Sequence, residues 1–587
     1  MYFIAISFIW FAFFLFLSPI LYHKKLQNNL SLSLILIICG SLVATFLLKI
    51  FFFYFKINLE KFLFSLMFIF FFIIFFFYNR KNLKFNFYLN KYSIFLIIIF
   101  CLISITVTLD NSVSFTHWDS VVSWNRWANE LTKFEYNTSG AFYPILWPSI
   151  WSLIYELQLT SEFEFIAKTS LLVTLAILFL SIYFYSVNVS YLSGLVLIVI
   201  FIINYKHTLE FLVSGYMDQP VTILISSFLV LFSTLPFIEN AKYKLTLISC
   251  SAIISLSILT KQPALIVALF YGLYLFLSLK KKKINFNFYC ILNSIIFIPY
   301  IFFLFFFFNA NGLDNLSLSS IYKLNFENYS KISITVSKTD FSFLVNGLKT
   351  LLTQGGIFFT FFIFFPYFFI FFIKNKKLKI INFNLILINF IGLLIYAKCC
   401  SYEIRNSYWL LGISLVSIAN IFSIYTKRFN FIFFSENLVK FYPIKFIVIL
   451  SIIFFFLIFI QEYKNGFIIK KHISEKKILG GKENAILLQS EFLKIDHCFI
   501  VYAAQQLIKY NHYLKEYEKS IKRTSIYNLE EIFNDNYKNN TECFVYYVFY
   551  EDISNIGNNK IILQKLYEKG VTKLNKNIYK IQPGFSW

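Results

Sequence analysis

The sequence predicts a polytopic α-helical membrane protein, with about 14 transmembrane helices. It adds a first outer loop of interfacial helices and a small C-terminal extracytoplasmic α/β domain. Three observations predict this class. The chain has 587 residues, 58% of them hydrophobic and 80 of them phenylalanine, more apolar surface than a water-soluble fold can hide. The apolar residues fall in runs near the ~20 that cross a bilayer as a helix. Much of the basic charge behind the net +23 falls in short clusters between those runs, such as Arg80-Lys81, Lys280 to Lys283 and Lys427-Arg428. That placement is the positive-inside pattern and argues against nucleic acid, since no base-stacking module accompanies the charge.

The candidate spans, in order, are 2–21, 31–55, 62–78, 92–109, 163–184, 191–205, 218–236, 245–260, 263–279, 288–308, 356–373, 380–397, 407–425 and 446–461. The first lacks a basic leader and a small-residue cleavage site, so it is expected as a membrane helix rather than a signal peptide. Threaded alternately, the spans put the basic segments 22–29, 79–91, 237–244, 280–287, 374–379 and 426–445 on the cytoplasmic side. Segments 110–161, 206–217, 309–355, 398–406 and 462–587 then lie outside. Residues 1–91 are additional N-terminal helices, 92–461 the main transmembrane module, and 462–587 a soluble domain.

The first outer loop, 110–161, is long for a connection in a helical bundle. It contains His117-Trp118-Asp119, then Trp124-Asn125-Arg126-Trp127, Tyr143-Pro144 and Trp147-Pro148. As a helix it places Asp119, Ser123, Arg126 and Glu130 near one face and Val121, Trp124, Ala128 and Leu131 toward the other. The expectation is a pair of short helices resting their apolar sides and indoles on lipid.

The C-terminal segment 462–587 has shorter apolar runs and mixed charge. Residues 498–502 and 543–549 are predicted as buried strands, and 503–517, 529–534 and 562–569 as helices. Of the eight cysteines, Cys498 and Cys543 sit in these two strands, where a disulfide suits an oxidising compartment. Cys399 and Cys400 are adjacent in an outer loop. No His/Cys spacing suggests zinc.

Six outer residues are candidates for chemistry. Asp119 suits a general base near the membrane surface, or else a solvated acid paired with Arg126. Asp218, in Gly215-Tyr216-Met217-Asp218-Gln219-Pro220, stands where a tight turn enters a helix; it suits a second acid or a helix-dipole partner. Lys261, between two apolar helices, suits an anion ligand or a snorkelling side chain. Arg405, in Glu403-Ile404-Arg405, suits a phosphate fork or a pair with Glu403. His117 and Arg126 are secondary candidates beside Asp119.

The ordered set Trp118-Asp119-x4-Trp124-x3-Ala128, Tyr143-Pro144, Trp147-Pro148, Gly215-Tyr216-x-Asp218-x-Pro220, Leu259-Thr260-Lys261 and Glu403-x-Arg405 resembles the C-type (GT-C) membrane glycosyltransferases. The nearest branch is similar to the bacterial relatives of protein O-mannosyltransferases and of the lipid A aminoarabinose transferase. The resemblance spans about residues 118–410. It implies a multi-pass enzyme of the bacterial inner membrane that takes sugar from a polyprenyl-phosphate donor. Asp119 matches the first-loop acid; Arg405 and Lys261 would hold the donor phosphate; Asp218, His117 and Arg126 would serve the acceptor or a secondary acid. The acceptor is a glycan, lipid or protein hydroxyl. No cofactor or obligatory metal is expected, a divalent cation being left open. The chain departs from the pattern at Gln262-Pro263, where relatives often carry Asn-Glu, and lacks a paired Asp-Glu at 119–120.

Two other classes compete. A transporter or flippase would place ionisable groups at the midplane on broken helices, whereas these charges lie at helix ends. An O-antigen ligase or polymerase would carry Arg and His in a large late loop, whereas 309–355 has neither.

Overall fold

The computed structural model describes residues 30–56, 87–90, 114–115, 119–136, 143–158, 164–187, 215–238, 240–311, 342–373, 376–399, 404–423, 438–441, 471, 482–495, 498–503, 514, 516–517, 520–523, 543–549, 564, 567–568 and 570–583. It is mostly helical, with a small C-terminal sheet. The chain forms two compact units, one of Met1–Asn111 with Trp124–Ile460, the other of Ser112–Ser123 with Gln461–Trp587.

The helices of the first unit are α1 (Leu30–Phe55), α2 (Arg126–Thr132), α3 (Leu146–Gln158), α4 (Phe165–Val187), α5 (Asp218–Thr234) and α6 (Asn240–Thr260). They continue with α7 (Ala264–Lys280), α8 (Phe286–Asn311), α9 (Ser342–Phe369), α10 (Lys376–Cys399) and α11 (Tyr408–Ser423). Each predicted span within the described residues coincides with one of these. The predictions at 2–21, 62–78, 92–109, 191–205 and 446–461 lie outside the described residues. Among the described residues, five helices are long and apolar enough to cross a membrane: Leu34–Phe55, Lys242–Thr260, Phe286–Ala310, Leu344–Phe369 and Lys379–Lys398.

The bundle is built around α5, whose every residue is buried, and α11, its closest neighbour. A helix buried on all sides belongs at a core. Gly412 lets the two approach: a Cβ there would collide with Ser226 Oγ and crowd Thr222. Polar side chains tie the helices where apolar matching alone gives little specificity. Asn389 on α10 donates to Ser414 Oγ (2.7 Å) and Leu410 O (3.0 Å) on α11, and accepts from Tyr367 on α9 (3.0 Å). Asn420 donates to Ser233 Oγ on α5 (3.0 Å) and to Asn382 on α10 (3.3 Å). Outward faces of α8, α9 and α10 remain apolar, with Phe305, Phe358 and Phe383 exposed, as a lipid-facing surface requires.

Further polar contacts join helix ends: Tyr185 meets Thr246, Tyr243 meets Tyr274, and Asn420 meets Ser233. Strands β1 (Phe87–Asn90) and β2 (Leu438–Phe441) pair antiparallel, Phe87 opposite Phe441, and so join two basic segments assigned to one side.

The first outer loop departs from expectation. Its start is not α-helical: Ser120–Asn125 is a π-helical turn that runs into α2. Its apolar side does not face lipid. Trp124, Trp127, Ala128 and Leu131 are buried, and so are Trp147 and Trp151 on α3, against which α2 packs. The physical reason is mutual burial: Trp124, Trp127 and Tyr143 form edge and tilted ring contacts at 5.1–6.1 Å, and Tyr136 packs on Phe306 at 5.1 Å. Protein rather than headgroups solvates these rings. A second departure is in α9, which begins at Ser342, inside the predicted loop 309–355, and breaks at Gly356 (φ 78°, ψ 173°).

The second unit carries a five-stranded sheet, order β4-β3-β5-β7-β6. Its strands are β3 (Phe499–Ala503), β4 (Ile521–Arg523), β5 (Phe544–Val548), β6 (Thr572–Lys573) and β7 (Ile578–Ile581). The two predicted strands, β3 and β5, are neighbours and run parallel, Val501 opposite Tyr546. Cys498 and Cys543 precede them and form a disulfide, and Phe544 N donates to Cys498 O (3.0 Å). Helix α12 (Lys482–Phe492), absent from the sequence prediction, supplies Ala485, Leu488 and Phe492 to a core with Val501, Tyr546 and Ile578. Ala503 ends β3 instead of opening a helix, and the predicted helix 529–534 lies outside the described residues.

Candidate functional site

Three segments distant in sequence converge at one end of the helical unit. The first is the turn entering α5. Gly215 adopts φ 87°, a left-handed conformation that favours glycine, and this turns Tyr216 and Asp218 back toward α5. Met217 is the N-cap, Asp218 lies in the first helical turn, and Pro220 sits within it, where a missing N–H is harmless. A carboxylate there is favoured by the helix dipole.

The second segment is the α6–α7 hairpin. Lys261 N donates to Ser257 O (3.1 Å) and Ala264 N to Lys261 O (3.3 Å), so the backbone stays nearly helical through Lys261-Gln262-Pro263. Lys261 Nζ forms an ion pair with Asp218 Oδ1, both side chains largely buried. The pair joins the turn entering α5 to the α6–α7 hairpin.

The third is the 3₁₀ turn Ile404–Ser407 leading into α11. Ile404 N donates to Gln354 Oε1 (2.9 Å) and Ser407 Oγ to Ile404 O (2.7 Å). The Arg405 guanidinium lies over the Tyr216 ring, 4.3 Å from its centroid, a cation–π contact. Arg405 and Lys261 are thus each held by the Gly215-to-Asp218 turn. The two cations are thereby brought to one short turn, Lys261 through Asp218 and Arg405 through Tyr216.

The remaining candidates distribute differently. Asp119 is half-buried at the start of the π turn and belongs to the second unit. His117 lies outside the described residues. Arg126 Nε pairs with Glu130 Oε1 (3.1 Å) one turn along α2. Burial, reinforced by the Glu130 charge, pushes the Tyr136 phenol well above its ordinary pKa.

The sequence reading passed over two buried polar groups. Asn125 bridges Glu164 and Tyr155, and Lys49 of α1 pairs with Glu156 of α3. Lys49 carried a usable signal, a lone cation inside an apolar span. Asn125 and Glu164 carried none, because each looks like an ordinary loop residue until its partner is known. Among the described residues, no three His, Cys, Asp or Glu side chains gather as a metal ion would need.

Compared with known proteins, the chain matches no family model, no curated protein and no solved structure.

Proposed function

We propose that the protein is an inverting glycosyltransferase of the bacterial inner membrane. It moves a sugar from a polyprenyl-phosphate donor to a glycan, lipid or protein hydroxyl on the outer face. The observation that carries this reading is the cation pair Lys261 and Arg405, held by Asp218 and Tyr216 at one end of an apolar helical bundle. A lipid-linked phosphate needs that combination of cationic head site and greasy surroundings. The resemblance of the ordered motifs to the C-type enzymes supports the same reading.

In this mechanism Asp119 accepts the proton of the acceptor hydroxyl as its oxygen attacks the anomeric carbon. The bond from that carbon to the phosphate oxygen breaks, configuration inverts, and polyprenyl phosphate leaves. Arg405 and Lys261 stabilise the charge that grows on the departing phosphate. Asp218 holds Lys261 in place through their ion pair.

The test is transfer of labelled sugar from a polyprenyl-phosphate donor in proteoliposomes. Asp119→Asn is expected to abolish transfer with expression unchanged. Full activity in that variant, or donor translocation without transfer in the parent, would overturn the reading in favour of another function such as a flippase.

A further inference from the structure

The π turn Ser120–Asn125 begins one residue after Asp119. Such turns are rare and cluster at functional sites, since the widened backbone persists only where neighbours hold it. Asn125, 2% exposed, is that holding point. Its Nδ2 donates to Glu164 Oε1 and its Oδ1 accepts from the Tyr155 hydroxyl (2.5 Å). Glu164 and Tyr155 are each 1% exposed. An ionised carboxylate only accepts, so the amide orientation is dictated by chemistry. Burial, with the Glu164 charge, pushes the Tyr155 phenol well up, which keeps it a donor. The turn is thereby joined to α3 and to the residue that leads into α4. Charged neighbours on the packed elements are Arg126 and Glu130 of α2, Glu156 of α3 with Lys49 of α1, and buried Lys168 of α4.

We propose that Asn125 is a positioning residue: through Glu164 and Tyr155 it holds the π turn that follows Asp119 in the chain in one conformation. The role in catalysis rests on the proposed function; the clamp itself does not. Asn125→Asp replaces the donor facing Glu164 with a second carboxylate. Two carboxylates so close share one proton, so the clamp closes only while that proton is held. Combining Asn125→Asp with Glu164→Gln reverses the polarity: the Gln amide donates to Asp, which still accepts from Tyr155.

The experiment uses the full chain in detergent and in proteoliposomes. It measures amide exchange of 120–125, corrected for intrinsic rates, and sugar transfer, between about pH 5 and about pH 8, the range into which a proton-sharing pair moves. Wild-type protection is expected to be constant. Asn125→Asp is expected to lose protection as pH rises, with transfer falling about tenfold per unit above the pKa of the pair. The double variant is expected to recover protection and transfer at all pH values. A double variant that exchanges like Asn125→Asp, or a single variant with the wild-type profile, would overturn the clamp. A parent that transfers no sugar while the exchange pattern holds would refute the glycosyltransferase reading and leave the clamp standing.

Discussion

Lys261 and Asp218 are 43 residues apart, yet each is the other's solution to burial. An ammonium among apolar helices is costly alone, and so is a carboxylate. Removing one partner strands the other, so Asp218→Ala is expected to cost about 3 kcal/mol. Asp218→Leu combined with Lys261→Met should cost less than the sum of the single changes. Thermal unfolding in detergent checks this; additive losses would show that the two side chains are uncoupled. Arg405 makes a different prediction. Arg405→Lys keeps the charge but loses the planar stack on Tyr216 and, under the proposed function, a two-pronged grip on the donor phosphate. Donor KM is expected to rise roughly tenfold, the loss of one good charged contact, with the unfolding midpoint unmoved. At this scale the sequence was informative where a charge stood at the end of an apolar helix, as Asp218 and Lys261 do. It was silent on Asn125 and Glu164, whose meaning is a contact rather than a residue type.

Elements show where periodicity misleads. The 110–161 segment has an amphipathic pattern, and amphipathicity says that one side is buried without saying in what. Here Trp124, Trp127, Trp147 and Trp151 are buried in protein. The break in α9 is a further case, since an apolar run gives no warning of a kink inside it. Gly356 occupies a backbone region essentially reserved for glycine, while open space surrounds its Cα. Gly356→Ala is therefore expected to cost about 1–3 kcal/mol through backbone strain alone. The disturbance should spread to Gln354, two residues earlier, which holds the Arg405 turn, so donor binding should weaken as well. In the sheet, the disulfide closes a 45-residue separation. Replacing both cysteines by serine is expected to destabilise the sheet by roughly 4 kcal/mol on chain-entropy grounds, read by urea unfolding.

Acid sensitivity also belongs to an element contact, between α12 and β7. Burial pushes the Glu491 carboxyl up, but hydrogen bonds from Lys580 (3.0 Å) and Lys494 (3.1 Å) bring it below its ordinary value. A depressed folded-state pKa means the stabilisation is full above the unfolded value and is lost as pH falls through the folded one. Glu491→Gln should therefore be less stable than the parent at neutral pH and should converge with it in acid. A constant difference between the two across pH would contradict this assignment.

For the whole molecule, hydropathy was enough to mark the helices among the described residues, because a long apolar run buries its backbone best as a helix. The sheet of the second unit was half legible: β3 and β5 are continuous apolar runs, whereas β4, β6 and β7 are short and their pairing is nonlocal. Grouping of residues 112–123 with the C-terminal unit had no sequence signal, since segment affiliation is decided by packing alone.

The central claim is that a cationic site holds a lipid-linked phosphate donor which Asp119 helps to discharge. Its most direct measurement compares donor binding with donor turnover in reconstituted protein, using a polyprenyl-phosphate sugar, for the parent, Asp119→Asn and Arg405→Ala. The account predicts parent-like binding without turnover for Asp119→Asn, and weakened binding for Arg405→Ala at equal folded amounts. Binding unchanged in Arg405→Ala together with turnover unchanged in Asp119→Asn would contradict it.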